Sequence, residues 1–333
     1  MPSPNFPIPA GSIGVILPPM APGALGVHSL RTNGTTKLPT FGSTEQIVAD
    51  CQAAEAAGAS AIWATDHLFW RQPTLECLTA CVVAATATSH AVLGTCVLQL
   101  PLRSPAVVAK QVAALQVLSG GRFVLGVGVG SHPGEYGRAG VDYATRGRRL
   151  DKGIAALRAA WTHAGEDYRL APALPAPVWV GGASPAAIER AATLGDGWVP
   201  LFLDPPTFAS RLAQVRDLRS AAGGDPAELA AAVVMVAHVD ADEQRARERG
   251  TGWLAALYGI APKAFARHLV AGPATLVADA VHRYLSSGAT HVVVLVAADH
   301  PMEHFTALME AAAPASRKTR AAVPHFATSG ASV

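Results

Sequence analysis

The sequence predicts an α/β protein of the (β/α)8 TIM-barrel class with insertion segments, on three observations. Eight apolar runs, each short enough to be a strand, alternate with helical patterns along 333 residues. Those runs are apolar at nearly every position, as parallel strands covered on both faces are. The length suits a barrel of about 250 residues with additions. Alternation alone also admits an open doubly wound sheet, and the count of eight with the length favours the barrel.

The elements follow in order. "SIGVILP" (Ser12–Pro18) is an apolar run bounded by Gly and Pro, read as a buried strand. The next helix starts at Ser43 or Thr44 as N-cap, repeats Ile47, Val48, Cys51 and Ala54 at helical spacing, and stops at Gly58. "AIWATDH" is strand, "PTLECLTACVVAATAT" helix and "AVLGTCVLQL" strand. A helix entered through Pro105 and ended by a Gly pair leads to the strand "FVLGVGVG" and the helix "GRRLDKGIAALRAAWT". "PVWVGGA", "DGWVPLF", "AAVVMVAHV" and "HVVVLVAA" are the remaining strands, separated by "SPAAIERAATLG", "DPPTFASRLAQVRDLRSAAG" and "PATLVADAVHRYLSSG" as helices. Pro19–Phe41 and Thr251–His268 read as insertions. No low-complexity linker divides the chain, so residues 1–322 form one domain in this reading, and Val323 onward is expected to be a disordered tail.

Composition excludes several functions. Lys+Arg numbers 26 against 24 Asp+Glu, and the only dense basic run is "SRKTR" near the C-terminus, so no nucleic-acid groove is expected. The apolar runs break well before the ~20 residues that span a bilayer. "MPSPNFPIPAGS" lacks the basic-then-apolar order of a secretory signal, and a cytoplasmic protein is expected. Cys51, Cys77, Cys81 and Cys96 show no Cys-x-x-Cys pair and read as buried thiols. The weight of Ala, Pro, Val and Arg is that of a GC-rich genome.

In a barrel the chemistry sits at the C-terminal ends of the strands. Those ends carry Asp66-His67, "TCVLQL", "GVGVGSHPGEY", "VGGASP" and "DGWVPLF". "GVGVGSHPGEY" lacks the third glycine of a dinucleotide fingerprint in its proper place; its glycines suit close approach of a strand end to a ligand. In "VGGASPAAIER" Pro185 occupies the first position of a helix whose free amides suit a phosphate; a plain strand-to-helix turn is the other reading. No second His, Cys or carboxylate stands at ligand spacing from His67, so no metal is expected.

In this order, "AAEAAGASAIWATDHL", "LRSPAVVAKQVAALQVLSGGRFVLGVGVG", "GVDYATRGRRLDKGIAALRAAW", "PVWVGGASPAAIERAATLGDGWVP" and "LVAGPATLVADAVHRYLSSGATHVVV" resemble the luciferase-like monooxygenase superfamily. Within it they resemble the branch that uses the deazaflavin coenzyme F420. The resemblance runs from Ser12 to about Ala313 and implies a barrel with inserted segments. It implies that His67, with Asp66 beside it, faces the reactive ring, and that Trp70 walls the substrate pocket. It implies that Thr95, Cys96 and Val97 back the ring through a bulge whose Cys96–Val97 bond is a non-prolyl cis peptide. Gly128, Gly130 and Ser131 then line the cofactor, and Gly181, Gly182, Ala183 and Ser184 hold its phosphate.

One position departs from the sugar-phosphate dehydrogenases of that branch. Where they carry an acidic residue directly after the fourth-strand glycines, this chain has Ser131, with Glu135 four residues later as a substitute. Sugar-phosphate oxidation is therefore not expected.

The reading is hydride transfer between F420 and a small organic substrate, with His67, held by Asp66 or a backbone group, moving the proton. The alternatives are an FMN-dependent monooxygenase supplied by a partner reductase and a flavin-binding protein without turnover; an NAD dehydrogenase on a doubly wound sheet ranks behind both. Relatives of this kind are commonly homodimers. Arg148 and Arg149 read as solvated helix charges, His132 as a loop residue, and Trp198 as core or pocket wall.

Overall fold

A computed structural model describes residues 8–17, 44–70, 74–162 and 170–313, together with the backbone of 31–32 and 35–36. The strands are β1 (Ser12–Ile16), β2 (Arg31–Thr32), β3 (Thr35–Thr36), β4 (Ala61–Ala64), β5 (Val92–Thr95), β6 (Leu98–Gln99), β7 (Phe123–Gly128), β8 (Val178–Gly181), β9 (Gly197–Val199), β10 (Ala230–Val239), β11 (Leu269–Gly272) and β12 (His291–Val296). The α-helices are α1 (Thr44–Ala56), α2 (Cys77–Ala87), α3 (Pro105–Leu118), α4 (Pro133–Arg138), α5 (Arg146–Thr162), α6 (Pro185–Leu194), α7 (Pro205–Ala221), α8 (Glu243–Tyr258), α9 (Ala274–Ser286) and α10 (Pro301–Ala312).

Parallel pairing runs β1–β4–β5–β7–β8–β9–β10–β12 and returns to β1, which closes an eight-stranded barrel. The molecule is a TIM barrel. Closure removes every strand edge among these eight and explains why their sequences are apolar on both faces: one face meets the helices, the other the barrel interior. Trp63 on β4 and Trp179 on β8 are not on neighbouring strands, yet their rings lie 5.2 Å apart, so they meet across the interior.

Beneath them the interior holds one polar chain with a single consistent direction. Trp63 Nε1 donates to His291 Nε2 at 3.2 Å. The hydrogen is therefore on Nδ1, which donates to Ser12 Oγ at 2.9 Å, and Ser12 Oγ donates to the Pro9 carbonyl. Burial pushes the His291 imidazole down to about 3, so it is neutral at ordinary pH.

Several elements escaped the sequence reading, among them α4, which carries Glu135, and α10. β6 is the two-residue continuation of the third barrel strand after the bulge, and it pairs with β7. β11, inside the segment "LVAG", pairs with the upper half of β10, where β9 has already ended. α8 overlaps the start of the expected Thr251–His268 insertion and brings Leu257 and Tyr258 to the barrel mouth. Apart from β2 and β3, which form an antiparallel pair, the Pro19–Phe41 insertion lies outside the described residues, as does the tail from Val323. Among the described residues no helix is long and apolar enough to cross a membrane.

Candidate active site at the barrel mouth

His67 follows the C-terminal end of β4 and is tied to the helix after β7. Its Nδ1 lies 3.0 Å from Glu135 Oε2. Glu135 sits on α4, is fully buried, and accepts three further kinds of donor: the Leu68 amide (2.9 Å), the Phe69 amide (3.1 Å) and Gln99 Nε2 (3.2 Å). Burial alone pushes a carboxyl up. The bonds from His67, the Phe69 amide and Gln99, with the imidazole's charge, outweigh it and hold Glu135 below the usual carboxylate range.

An ionised carboxylate only accepts hydrogen bonds, so the His67 Nδ1 carries the hydrogen and Nε2 is the nitrogen left for other chemistry. His67 is one quarter exposed, and its ring stacks on Trp70 with centroids 3.8 Å apart. It lines a small cavity with Thr65, Trp70, Thr74, Leu257, Tyr258 and Leu295. Thr65 and Leu295 belong to the C-terminal ends of β4 and β12, so the cavity opens at the mouth of the barrel.

The expectation that Asp66 holds His67 is corrected here. Asp66 is buried and gives both oxygens to Arg103, Oδ1 to Nη2 at 2.7 Å and Oδ2 to Nη1 at 2.8 Å; it also accepts the Gln99 amide at 2.8 Å. Adjacent residues in extended chain point to opposite sides, so Asp66 faces the outer layer while His67 faces the mouth. Arg103 also reaches Glu76 at 3.5 Å. The oxygens of Asp66 and Glu76 and the Cys77 thiol cluster within 4.8 Å, and this guanidinium, bonded to both carboxylates, supplies their positive charge.

At the end of β5 the Cys96–Val97 peptide bond is cis, and Val97 lies across the ends of β7 and β8. A methyl group added at Gly128 would come within 2.5 Å of Val97 Cγ2, and one at Gly181 within 2.9 Å of Cγ1. A group added at Gly126 would meet the Thr95 carbonyl, and one at Gly130 the Gln99 side chain. Contact with Val97 thus accounts for glycine at 128 and 181, which the sequence reading assigned to the cofactor lining and to its phosphate. Thr95 is corrected likewise: it is fully buried, and its hydroxyl donates to the Gly126 carbonyl at 2.7 Å.

The turn after β8 has Gly182 at φ +104°, a conformation that favours glycine, followed by Ser184 as N-cap of α6, its hydroxyl accepting the Ala187 amide. Trp198 is buried and stacked on Phe208, and its indole nitrogen donates to the Gly182 carbonyl at 2.8 Å. It is core rather than cavity wall, and it fixes the turn from beneath.

The luciferase-like monooxygenase family model matches residues 24–273, three quarters of the chain. The chain belongs to the luciferase-like monooxygenase family. Its curated relatives include an uncharacterised Mycobacterium bovis protein, 37% identical over 46% of this chain and 57% of that protein. Another is the F420-dependent hydroxymycolic acid dehydrogenase of Mycobacterium tuberculosis, 33% identical over 61% of this chain and 62% of that one. The alignments thus span little more than half the length of these relatives. Among solved structures, an F420-dependent secondary alcohol dehydrogenase in complex with an F420–acetone adduct superposes with a TM-score of 0.72 at 18% identity, covering 82% of this chain and 96% of that one. The monooxygenase RslO1 of Streptomyces bottropensis superposes at 0.70 with 21% identity, covering 90% of this chain and 96% of that one. At these identities the two structures establish the shared fold alone.

In this luciferase-like protein the barrel brings together His67, Trp70 and Glu135, with Gly130 reaching them through Gln99, and it sets the Cys96–Val97 bulge against Gly128 and Gly181. Ser131 is exposed, and its carbonyl accepts the Tyr143 hydroxyl at 3.2 Å. Sequence reasoning missed Gln99, Arg103, Leu257 and Tyr258. Gln99 was discoverable, since a lone amide inside "CVLQLP" is a polar group that a buried strand must pair. Arg103 and Tyr258 carried no local signal: their roles arise only when β5, β7 and α8 converge.

Proposed function

We propose that this chain is an F420-dependent oxidoreductase in which His67 handles the proton that accompanies hydride transfer to or from an activated C=O, C=C or C=N group. The observation that carries the reading is His67 itself, locked by Glu135 through Nδ1 at the edge of the mouth cavity, with Nε2 left over. The relatives that support it are the hydroxymycolic acid dehydrogenase and a mycobacterial phthiodiolone/phenolphthiodiolone dimycocerosates ketoreductase, 31% identical over 54% of this chain and 52% of that one. Both names describe carbonyl–alcohol chemistry, which makes C=O the favoured group.

The residues present fit a deazaflavin. Gly181, Gly182, Ala183 and Ser184 lead into α6, whose first amides have no helical partner and suit a phosphate. Cys96 and Val97 offer an apolar bulge against which a flat ring can lie. Among the buried side-chain polar atoms with no hydrogen-bond partner among the described residues, Trp70 Nε1 belongs to a residue that lines the mouth cavity. The chemistry such a cofactor supplies when bound is two-electron hydride transfer.

The chain's own part is orientation and proton handling. With Nδ1 occupied, His67 Nε2 donates a hydrogen to the substrate oxygen when a carbonyl is reduced and accepts one when an alcohol is oxidised. Trp70 fixes the imidazole plane by stacking, and Gln99 fixes Glu135. Leu257, Tyr258 and Leu295 exclude water from one side.

Titration of the purified protein with F420 and with FMN, followed by tryptophan fluorescence, tests the cofactor, and a screen of carbonyl acceptors against reduced F420 tests the reaction. Micromolar binding of F420 with acceptor-dependent oxidation is expected. Binding of FMN without F420 binding rejects the proposal in favour of the oxygen-using alternative.

A further inference from the structure

The described lining of the cavity beside His67 contains no Lys, Arg, Asp or Glu. Phosphates and carboxylates are recognised by cations or by several converging amides. Behind His67 in this lining stands Glu135, which is negative and committed to its own donors. Leu257, Leu295, Trp70 and the Tyr258 ring supply most of the wall.

A strained residue supports that wall from the far side. Phe202, just after β9, has φ +62°, a left-handed conformation rare for a bulky side chain. Its neighbours hold it there: Leu201 pairs with Val234 of β10, and the Leu203 carbonyl accepts the Tyr284 hydroxyl at 2.6 Å. Such conformations persist where surrounding structure enforces them, and they cluster at functional sites.

The consequence is where the Phe202 ring goes. It contacts Tyr258 (6.2 Å between centroids), Phe265 (6.2 Å) and His268 (5.1 Å). Tyr258 in turn meets Phe265 at 5.4 Å and, edge to face, Trp70 at 6.2 Å, and Trp70 stacks on His67. β4 and β9 stand opposite one another in the barrel, with three strands between them on either side. A continuous run of ring contacts therefore crosses the whole mouth from Phe202 to His67.

We propose that the cavity takes an uncharged, apolar substrate, and that Phe202 sets the length it accepts by holding Tyr258 against Trp70. The proposal rests on the reading of His67 as the reacting side, so its test uses binding alone, without cofactor or turnover.

Calorimetric titration with methyl ketones from butan-2-one to nonan-2-one gives the test, alongside analogues ending in a carboxylate, a phosphate or a trimethylammonium group. Each added methylene should tighten binding about threefold to fourfold until the aromatic wall is met. Every charged analogue should bind at least tenfold more weakly than the neutral ketone of equal length. In Phe202→Gly, whose glycine accepts the same backbone angle, the ratio of nonan-2-one to butan-2-one affinity should rise about tenfold. Tyr258→Ala should do the same without touching the strained residue. A charged analogue that matches or outbinds the neutral ketone overturns the proposal, and so does an unchanged ratio in both variants. Failure of the protein to use F420 or FMN defeats the assigned reaction and leaves this ladder of affinities intact.

Discussion

Glu135 Oε2 and His67 Nδ1 lie 3.0 Å apart although 68 residues separate them, and the carboxylate is fully buried while the imidazole reaches a cavity. The arrangement fixes one tautomer: a buried anion that only accepts hydrogen bonds keeps the hydrogen on Nδ1 and leaves Nε2 for a substrate oxygen.

Exchange of Glu135 for Gln tests that arrangement. With its oxygen kept by the Leu68 and Phe69 amides, the new NH2 faces a ring nitrogen that is itself a donor, and His67 turns to the other tautomer. We expect kcat to fall roughly 10²- to 10⁴-fold with little change in cofactor affinity, and His67→Ala to fall comparably. Steady-state kinetics on both variants decide it; full activity in either removes His67 from the reaction.

Arg103 neutralises a carboxylate that has no water to turn to. Arg103→Leu should destabilise the fold by about 3–5 kcal/mol in urea unfolding, because Asp66 is left as an unpaired buried charge. Pairing it with Asp66→Asn should recover part of that loss. If the two changes simply add, the ion pair is not what stabilises this corner of the barrel.

Val97 and Gly128 make a pair whose volumes trade against each other. Gly128→Ala should cost about 1–3 kcal/mol, since its new methyl meets Val97 Cγ2 at 2.5 Å. Val97→Ala in the same chain should relieve the clash. Thermal unfolding of the single and double variants measures the coupling, and an unaltered midpoint in Gly128→Ala would show that Val97 moves aside freely.

The barrel bottom has its own acid sensitivity. His291 is held down to about 3 by burial, while the unfolded chain titrates it near 6.5. Below the unfolded value the unfolded state binds a proton that the native state refuses, so stability falls as pH drops from about 6.5 towards 3. Urea midpoints between pH 7 and 4 should fall more steeply for the wild type than for His291→Gln, which keeps an acceptor for Trp63 without the titration. Parallel curves would remove His291 as the cause.

Much of the fold was legible in the chain because its signal is local. Eight apolar runs gave eight barrel strands, since a parallel strand buried on both faces must be apolar throughout, and Pro105, Pro185 and Gly58 marked helix boundaries by their backbone limits. β6 lay inside the run "AVLGTCVLQL" and the bulge that parts it from β5 left no mark in the residue pattern, while β11 joins β10 outside the eight-strand circuit that the alternation describes.

The site divides the same way. By itself the sequence determined that Asp66 and His67 end a strand, and so that this pair lies at the catalytic rim of a barrel. Only the closed barrel decided which of the two faces inward, that Arg103 claims Asp66, and that α4 carries Glu135 to His67. Alternation at a strand end splits neighbours to opposite sides, and closure brings together residues that no local pattern connects.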